Sequence, residues 1–412
     1  MTKTGYFRHK MYERFNEGRY REAADIGESL LKEHWNNHTM WSKDYSDDLF
    51  NAALAHEKIN NLGRAAELYS DSARQIGTGI RVDDLAMLVD RLTNLGFILR
   101  SQGLIFPSAL IYAQIIDACS KIKDKYPLKL ADAFYNMGNV LATDGQNDEA
   151  LDQHKRSLEI RKDIYMEASD DSICRDIVNS CHSIAFVYED EEEFELAIEY
   201  AQMAMIYSDS TNHANCCHYI AELYEANEMI DDAIFYYKMT LEDLKGITGR
   251  SHSSYFNVSS KLAALLSGSG KLEEALDISL KMLSYIEKSN ISSSLAYINC
   301  MRNIAILYDD IGDDDLAEDY MLRALALRVK FLDDASYEII FLLKKYITKK
   351  RKDDAIGMLV LAMLKIGDEH FNIDKAVNAL ISVFDDINIP RELYHDFYRP
   401  YINKWHRWEE DL

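Results

Sequence analysis

The chain has 412 residues, 48% of them hydrophobic and 28% charged, which is enough apolar material for a large folded body and excludes a disordered chain. Lys and Arg number 46 against 69 Asp and Glu, and a net charge of −23 opposes non-specific attraction to nucleic acid or to an anionic membrane surface, so neither is an expected partner. Six scattered cysteines without a CxxC pair fit buried thiols in a reducing, cytoplasmic setting, and no apolar signal core or membrane-length run occurs.

Four prolines and 17 glycines interrupt a chain in which Ala, Leu, Glu and Lys recur at three- and four-residue spacing, so an all-helical protein is expected. A length above 400 residues exceeds one ordinary globular core and calls for an internal repeat. The first copy lies in residues 13–31, ERFNEGRYREAADIGESLL, followed by weaker copies marked by Ala65 and Ala109. Five stronger copies start at Phe134, Ser180, Cys216, Val258 and Cys300. Each carries a small residue (Gly138, Ala185, Ala221, Ala263, Ala305). A large residue follows three positions on (Leu141, Tyr188, Tyr224, Leu266, Tyr308), and an alanine nine positions after that (Ala150, Ala197, Ala233, Ala275, Ala317). That spacing fits two helices and a tight turn, the small residues allowing close approach. With Ala23 and Ala355 at the ends, nine copies are expected at a period near 42 residues.

The order of small residue, large residue, turn glycine and alanine in NMGNVLATDGQNDEA (136–150) and RNIAILYDDIGDDDLA (302–317) resembles the tetratricopeptide repeat family over residues 4–365. The usual period is ~34 residues. The longer one here is similar to the variant in kinesin light chains and in peptide-sensing regulators of Gram-positive bacteria. The resemblance implies a right-handed superhelical solenoid of antiparallel helix pairs, with a concave groove that takes protein or peptide segments. Residues 366–412 are expected to form capping helices and an aromatic-rich tail.

The six residues HANCCH (213–218) place His213, Cys216, Cys217 and His218 at spacings that a zinc site would use. In the repeat frame Cys217 shares its register with Cys181, Ser259 and Met301, and an alternation of thiol, hydroxyl and thioether is what a packing position tolerates. No metal is therefore expected. Six residues before the small residue, four successive copies carry Asn179, Asn215, Asn257 and Asn299, and the residue at that place in the copy before is Asp132. Asparagine is a poor helix former, and its amide pairs with peptide N–H and C=O irrespective of side chain. The tetratricopeptide resemblance puts this register in the groove, together with His182, His218, Ser260, Arg302 and Tyr135 three residues on, and Phe186, Glu222, Ala264, Ile306 and Asn139 four beyond. Capping of helix starts is the competing account of the asparagines.

The acidic clusters 189–195 and 309–319 lack the spacing of a calcium loop and fit solvated turns. The run KKRK (349–352) resembles a nuclear-import or anion-binding patch, but it also falls on the turn of the ninth copy, where lysine is ordinary. The tail, with Tyr394, Phe397, Tyr398, Tyr401, Trp405 and Trp408, either closes the solenoid or docks a partner subunit. Nucleophile elbows and phosphate loops are absent, so no catalytic residue and no cofactor is expected. The expected function is a non-catalytic peptide-binding adaptor or regulatory subunit. A peptide-responsive regulator and an accessory chain of a larger effector complex are the alternatives; a repeat pattern starting near residue 4 counts against an integral output domain.

Overall fold

The computed structural model describes residues 2–40, 42–76, 82–168, 171–246, 252–288, 295–331 and 336–365. The chain is an all-α solenoid of helix pairs, and it divides into two compact units. Unit 1 (1–227) holds α1 (Lys3–Asn16), α2 (Tyr20–Asn36), α3 (Lys43–Lys58), α4 (Leu62–Ile76), α5 (Val82–Ser101), α6 (Ile105–Ser120), α7 (Pro127–Thr143), α8 (Asn147–Ala168), α9 (Cys174–Asp190), α10 (Phe194–Tyr207) and α11 (Ser210–Ala226). Unit 2 (228–412) holds α12 (Ile230–Gly246), α13 (His252–Gly268), α14 (Leu272–Lys288), α15 (Leu295–Ile311), α16 (Asp314–Phe331), α17 (Ser336–Thr348) and α18 (Lys352–Lys365). The expected capping helices and aromatic tail at 366–412 lie outside the described residues.

The repeat is visible in one detail of helix packing. The fourth residue of every even-numbered helix is fully buried: Ala23, Ala65, Ala150, Ala197, Ala233, Ala275, Ala317 and Ala355, with Ser108 in α6. A side chain of one carbon or little more lets two helix backbones approach closely. The third copy thus corrects the sequence reading. Ala109 is only partly buried, and Ser108 takes the buried place because its hydroxyl donates to the carbonyl of Gly96 at 2.8 Å, removing the cost of burying it.

Turns within pairs follow one rule. A single residue adopts positive φ: Gly18, Gly103 and Gly145 in unit 1 and Gly270 and Gly312 in unit 2, with Asn60, Glu192 and Lys350 doing the same in three other pairs. The next residue's N–H then reaches back to the carbonyl of the repeat's large residue, as from Gln146 to Leu141 (3.0 Å), Glu193 to Tyr188 (2.9 Å), Lys271 to Leu266 (2.9 Å) and Asp313 to Tyr308 (2.8 Å). This satisfies the orphan carbonyls at the helix end and aims the chain into the second helix.

Small residues in odd-numbered helices meet particular partners. A Cβ added to Gly96 would stand 2.9 Å from the Tyr112 ring, and one added to Gly138 would stand 2.7–2.8 Å from three ring atoms of His154. The expected thiol packing holds for Cys119, Cys181, Cys216, Cys217 and Cys300, which are buried and not in disulfides, while Cys174 is partly exposed. Near the start, Asp48 is fully buried and accepts from Arg8 Nε and Nη2, each at 2.7 Å, and lies 2.8 Å from His34 Nε2, tying α1, α2 and α3 together.

Candidate functional site

In unit 1 the odd-numbered helices share one face. Six residues before each small residue this face carries Asp47 in α3, Asp90 in α5, Asp132 in α7, Asn179 in α9 and Asn215 in α11. The three aspartates are bound into the fold: Arg91 Nη2 donates to Asp47 at 2.5 Å, Lys129 pairs with Asp90, and Arg161 Nη2 donates to Asp132 at 2.7 Å. The two asparagines differ. Both are exposed, both sit in the second turn of their helix beyond any capping position, and neither amide has a hydrogen-bond partner among the described residues. Capping therefore does not account for them.

Beside this ladder lies an open pocket of about 510 Å³. The structure brings together five of the expected residues here: Tyr135 and Asn139 from α7, and Asn179, His182 and Phe186 from α9. Arg100 from α5 and Tyr219 from α11 complete the walls, and His154 of α8 lies at the floor. None of the lining residues is acidic, in a chain where acidic residues outnumber basic ones 69 to 46. Phe186 is 62% exposed, and Phe97, at the same register in the third copy, is 50% exposed.

The pocket's rings hold one another. The Tyr135 ring meets the His154 ring edge-on at 5.5 Å and has the Arg161 guanidinium 4.9 Å over it, while Ser183 donates a long hydrogen bond (3.4 Å) to its hydroxyl. His182 stands edge-on to Tyr219 at 5.6 Å, with Cys216 Sγ 3.6 Å from its Nε2, and burial draws its pKa below the ordinary value. Tyr219 donates to Glu189 at 2.7 Å; burial first, then this carboxylate, raises its pKa. His154 is held neutral, its pKa drawn down to about 4 by burial and secondarily by Arg161.

Asn215 and His218 of α11 are not among the pocket's lining residues; His218 Nε2 lies 3.7 Å from a Glu222 oxygen. The two adjacent thiols diverge, Cys216 toward His182 and Cys217 toward Met205 (3.7 Å) and His213 (3.6 Å), and burial pushes the Cys216 thiol up to about 11. In unit 2, Asn257 is exposed and its amide has no partner among the described residues. Asn299 is half-buried and its side-chain oxygen accepts from Arg328 Nη2 at 2.9 Å, while Arg302 lays its guanidinium 5.1 Å over the Tyr337 ring.

Sequence reasoning missed Arg100, His154 and Tyr219 as parts of one site, and the aspartates of the second and third copies. A Thr39–His34–Asp48 chain was also missed: His34 Nδ1 lies 2.7 Å from the Thr39 hydroxyl. That hydroxyl also reaches the His34 carbonyl at 3.3 Å and closes the turn after α2, while Arg8 neutralises Asp48, so the chain reads as a structural tie.

Models of the tetratricopeptide repeat match residues 130–165 and 254–328. Those two segments are tetratricopeptide repeats, and the helix pairs on either side of them follow the same pattern of buried small residue and turn. Among solved structures it is similar to a putative kinesin light chain of nearly identical TPR-like repeats from Podosopora anserina (18% identity over 50% of this chain and 97% of that one, TM-score 0.38). It is also similar to BtubC (BKLC) from P. vanneervenii (18%, 60% and 95%, 0.40) and to the apo form of RapI (10%, 70% and 100%, 0.46). No curated protein matches it.

Proposed function

We propose that the protein is a non-catalytic adaptor or regulatory subunit that binds an extended segment of a protein or peptide along the odd-numbered helices. The observation that carries this reading is the pair of exposed amides of Asn179 and Asn215 at one register, with no partner among the described residues, beside an acid-free pocket. An amide offers two donors and one acceptor, so two of them one copy apart pair with the backbone of an extended strand whatever its side chains. Asn257 supplies the same group in unit 2, and Asn299 retains its two amide donors. Phe97 and Phe186 offer apolar area at the neighbouring register, the part of an interface that supplies most affinity.

Against mixed pools of synthetic twelve-residue peptides, the double variant N179A/N215A is expected to bind at least tenfold more weakly than wild type, two neutral hydrogen bonds being worth about 1 kcal/mol each. Its melting temperature should stay within a degree or two, because neither amide bonds to the described fold. Unchanged binding by a folded double variant would remove the ladder from the function.

A further inference from the structure

Four residues beyond the buried fourth residue of the even-numbered helices, three copies place a fully buried tyrosine, Tyr69 in α4, Tyr112 in α6 and Tyr237 in α12, and five others place Gly27, Ala201, Ser279, Met321 and Leu359. Within unit 1 these hydroxyls are used. Tyr69 donates to Glu57 at 2.8 Å, and Tyr112 reaches the Thr93 carbonyl at 3.5 Å. In α8 the same position holds His154, a smaller ring, fully buried, with neither ring nitrogen hydrogen-bonded. Gly138 gives that ring the same clearance that Gly96 gives Tyr112. The 510 Å³ pocket opens beside this copy, with His154 at its floor.

We infer that the pocket is a subsite for a tyrosine side chain of the bound segment, its ring against Tyr135 and Phe186 and its hydroxyl hydrogen-bonded to His154. The inference rests on the peptide-binding reading above. A neutral imidazole presents one donor and one acceptor, and a phenol hydroxyl does too, so either tautomer finds its complement. Phenylalanine would fill the same space and leave both nitrogens unpaired, a loss of about tenfold in affinity. A lysine is opposed by Arg100 in the wall and Arg161 beneath, whereas a carboxylate would be drawn to Arg100, which makes the Glu pool the sharpest competitor in the test below. Because His154 is fully buried with the Tyr135 ring edge-on to it, entry requires Tyr135 to turn aside, giving up that ring contact, the long bond from Ser183 and the contact with Arg161.

The test uses the whole chain and four pools of synthetic twelve-residue peptides, randomised except for a central Tyr, Phe, Gln or Glu, retention on immobilised protein being measured for each. Wild type is expected to retain the Tyr pool about tenfold better than the Phe pool, and better than the Gln and Glu pools. The ratio should fall to near one in His154→Leu, and again in His154→Tyr, which installs the side chain that sister copies already fold around. Equal retention of the Tyr and Phe pools, strongest retention of the Gln or Glu pool, or a Tyr preference that survives both variants would overturn the subsite. If pools are retained equally by wild type and lost by N179A/N215A, the subsite fails while the ladder stands. Retention of none would overturn both.

Discussion

Histidine 154 is a fully buried imidazole with neither ring nitrogen hydrogen-bonded. Its two unpaired nitrogens in a fully buried ring are a cost that a packing role alone does not explain, since an apolar side chain of similar volume would avoid it. The same burial makes the protein acid-sensitive. With a folded pKa near 4 against about 6.5 when unfolded, the unfolded chain takes up a proton that the folded one refuses. Stability is therefore complete above about pH 6.5 and is lost as pH falls toward 4, by roughly 3 kcal/mol from this one group. His182, whose pKa burial also lowers, acts in the same direction. Melting curves between pH 7.5 and 4.5 should show this fall in wild type and a smaller one in H154L, which should also melt higher at neutral pH. Parallel pH profiles for the two proteins would contradict the burial account.

At the scale of the element, the repeat is a helix pair defined by a buried small residue and a left-handed turn. Where the turn residue is glycine the backbone adopts positive φ without steric cost, whereas Glu192 at φ 61° carries a Cβ in a conformation disfavoured by about 1 kcal/mol or more. Glu192→Gly should raise stability by ~0.5–1 kcal/mol, and Gly145→Ala, at φ 76°, should lower it by about 1–2 kcal/mol. Urea unfolding of both variants checks the pair; a stabilising Gly145→Ala would refute the shared turn geometry.

This is also the scale at which the sequence was most legible, because alanine at a fixed place and glycine in the turn leave direct marks. Eight of the nine marker alanines fall on the buried position. The exception is instructive: a hydroxyl that returns its hydrogen bond to Gly96 is small enough for the slot, so Ser108 passed for a neighbour of the marker. Counting from Ala109 places the groove register on Arg91 and hides Asp90, and with it the change from salt-bridged aspartates to unpartnered asparagines. The pocket floor was illegible for a different reason. His154 matters through a second-helix position that faces another helix, and its closeness to Gly138 sets the imidazole against α7, beside the pocket.

Across the molecule the net charge is −23, whereas the pocket of unit 1 is lined by an arginine, two histidines and no acid. No helix among the described residues is long and apolar enough to cross a membrane. Binding of a protein or peptide segment on the asparagine face beside the His154 pocket is testable by replacing Phe186, at the pocket, with a photoreactive benzophenone residue, Ile206 of α10, which is 77% exposed, serving as the control position. Irradiated in lysate of the source cell, the protein labelled at 186 should capture a discrete partner that the one labelled at 206 does not, and the N179A/N215A changes should abolish that capture. Equal capture from both positions, or capture at 186 that survives loss of both asparagines, would contradict the account.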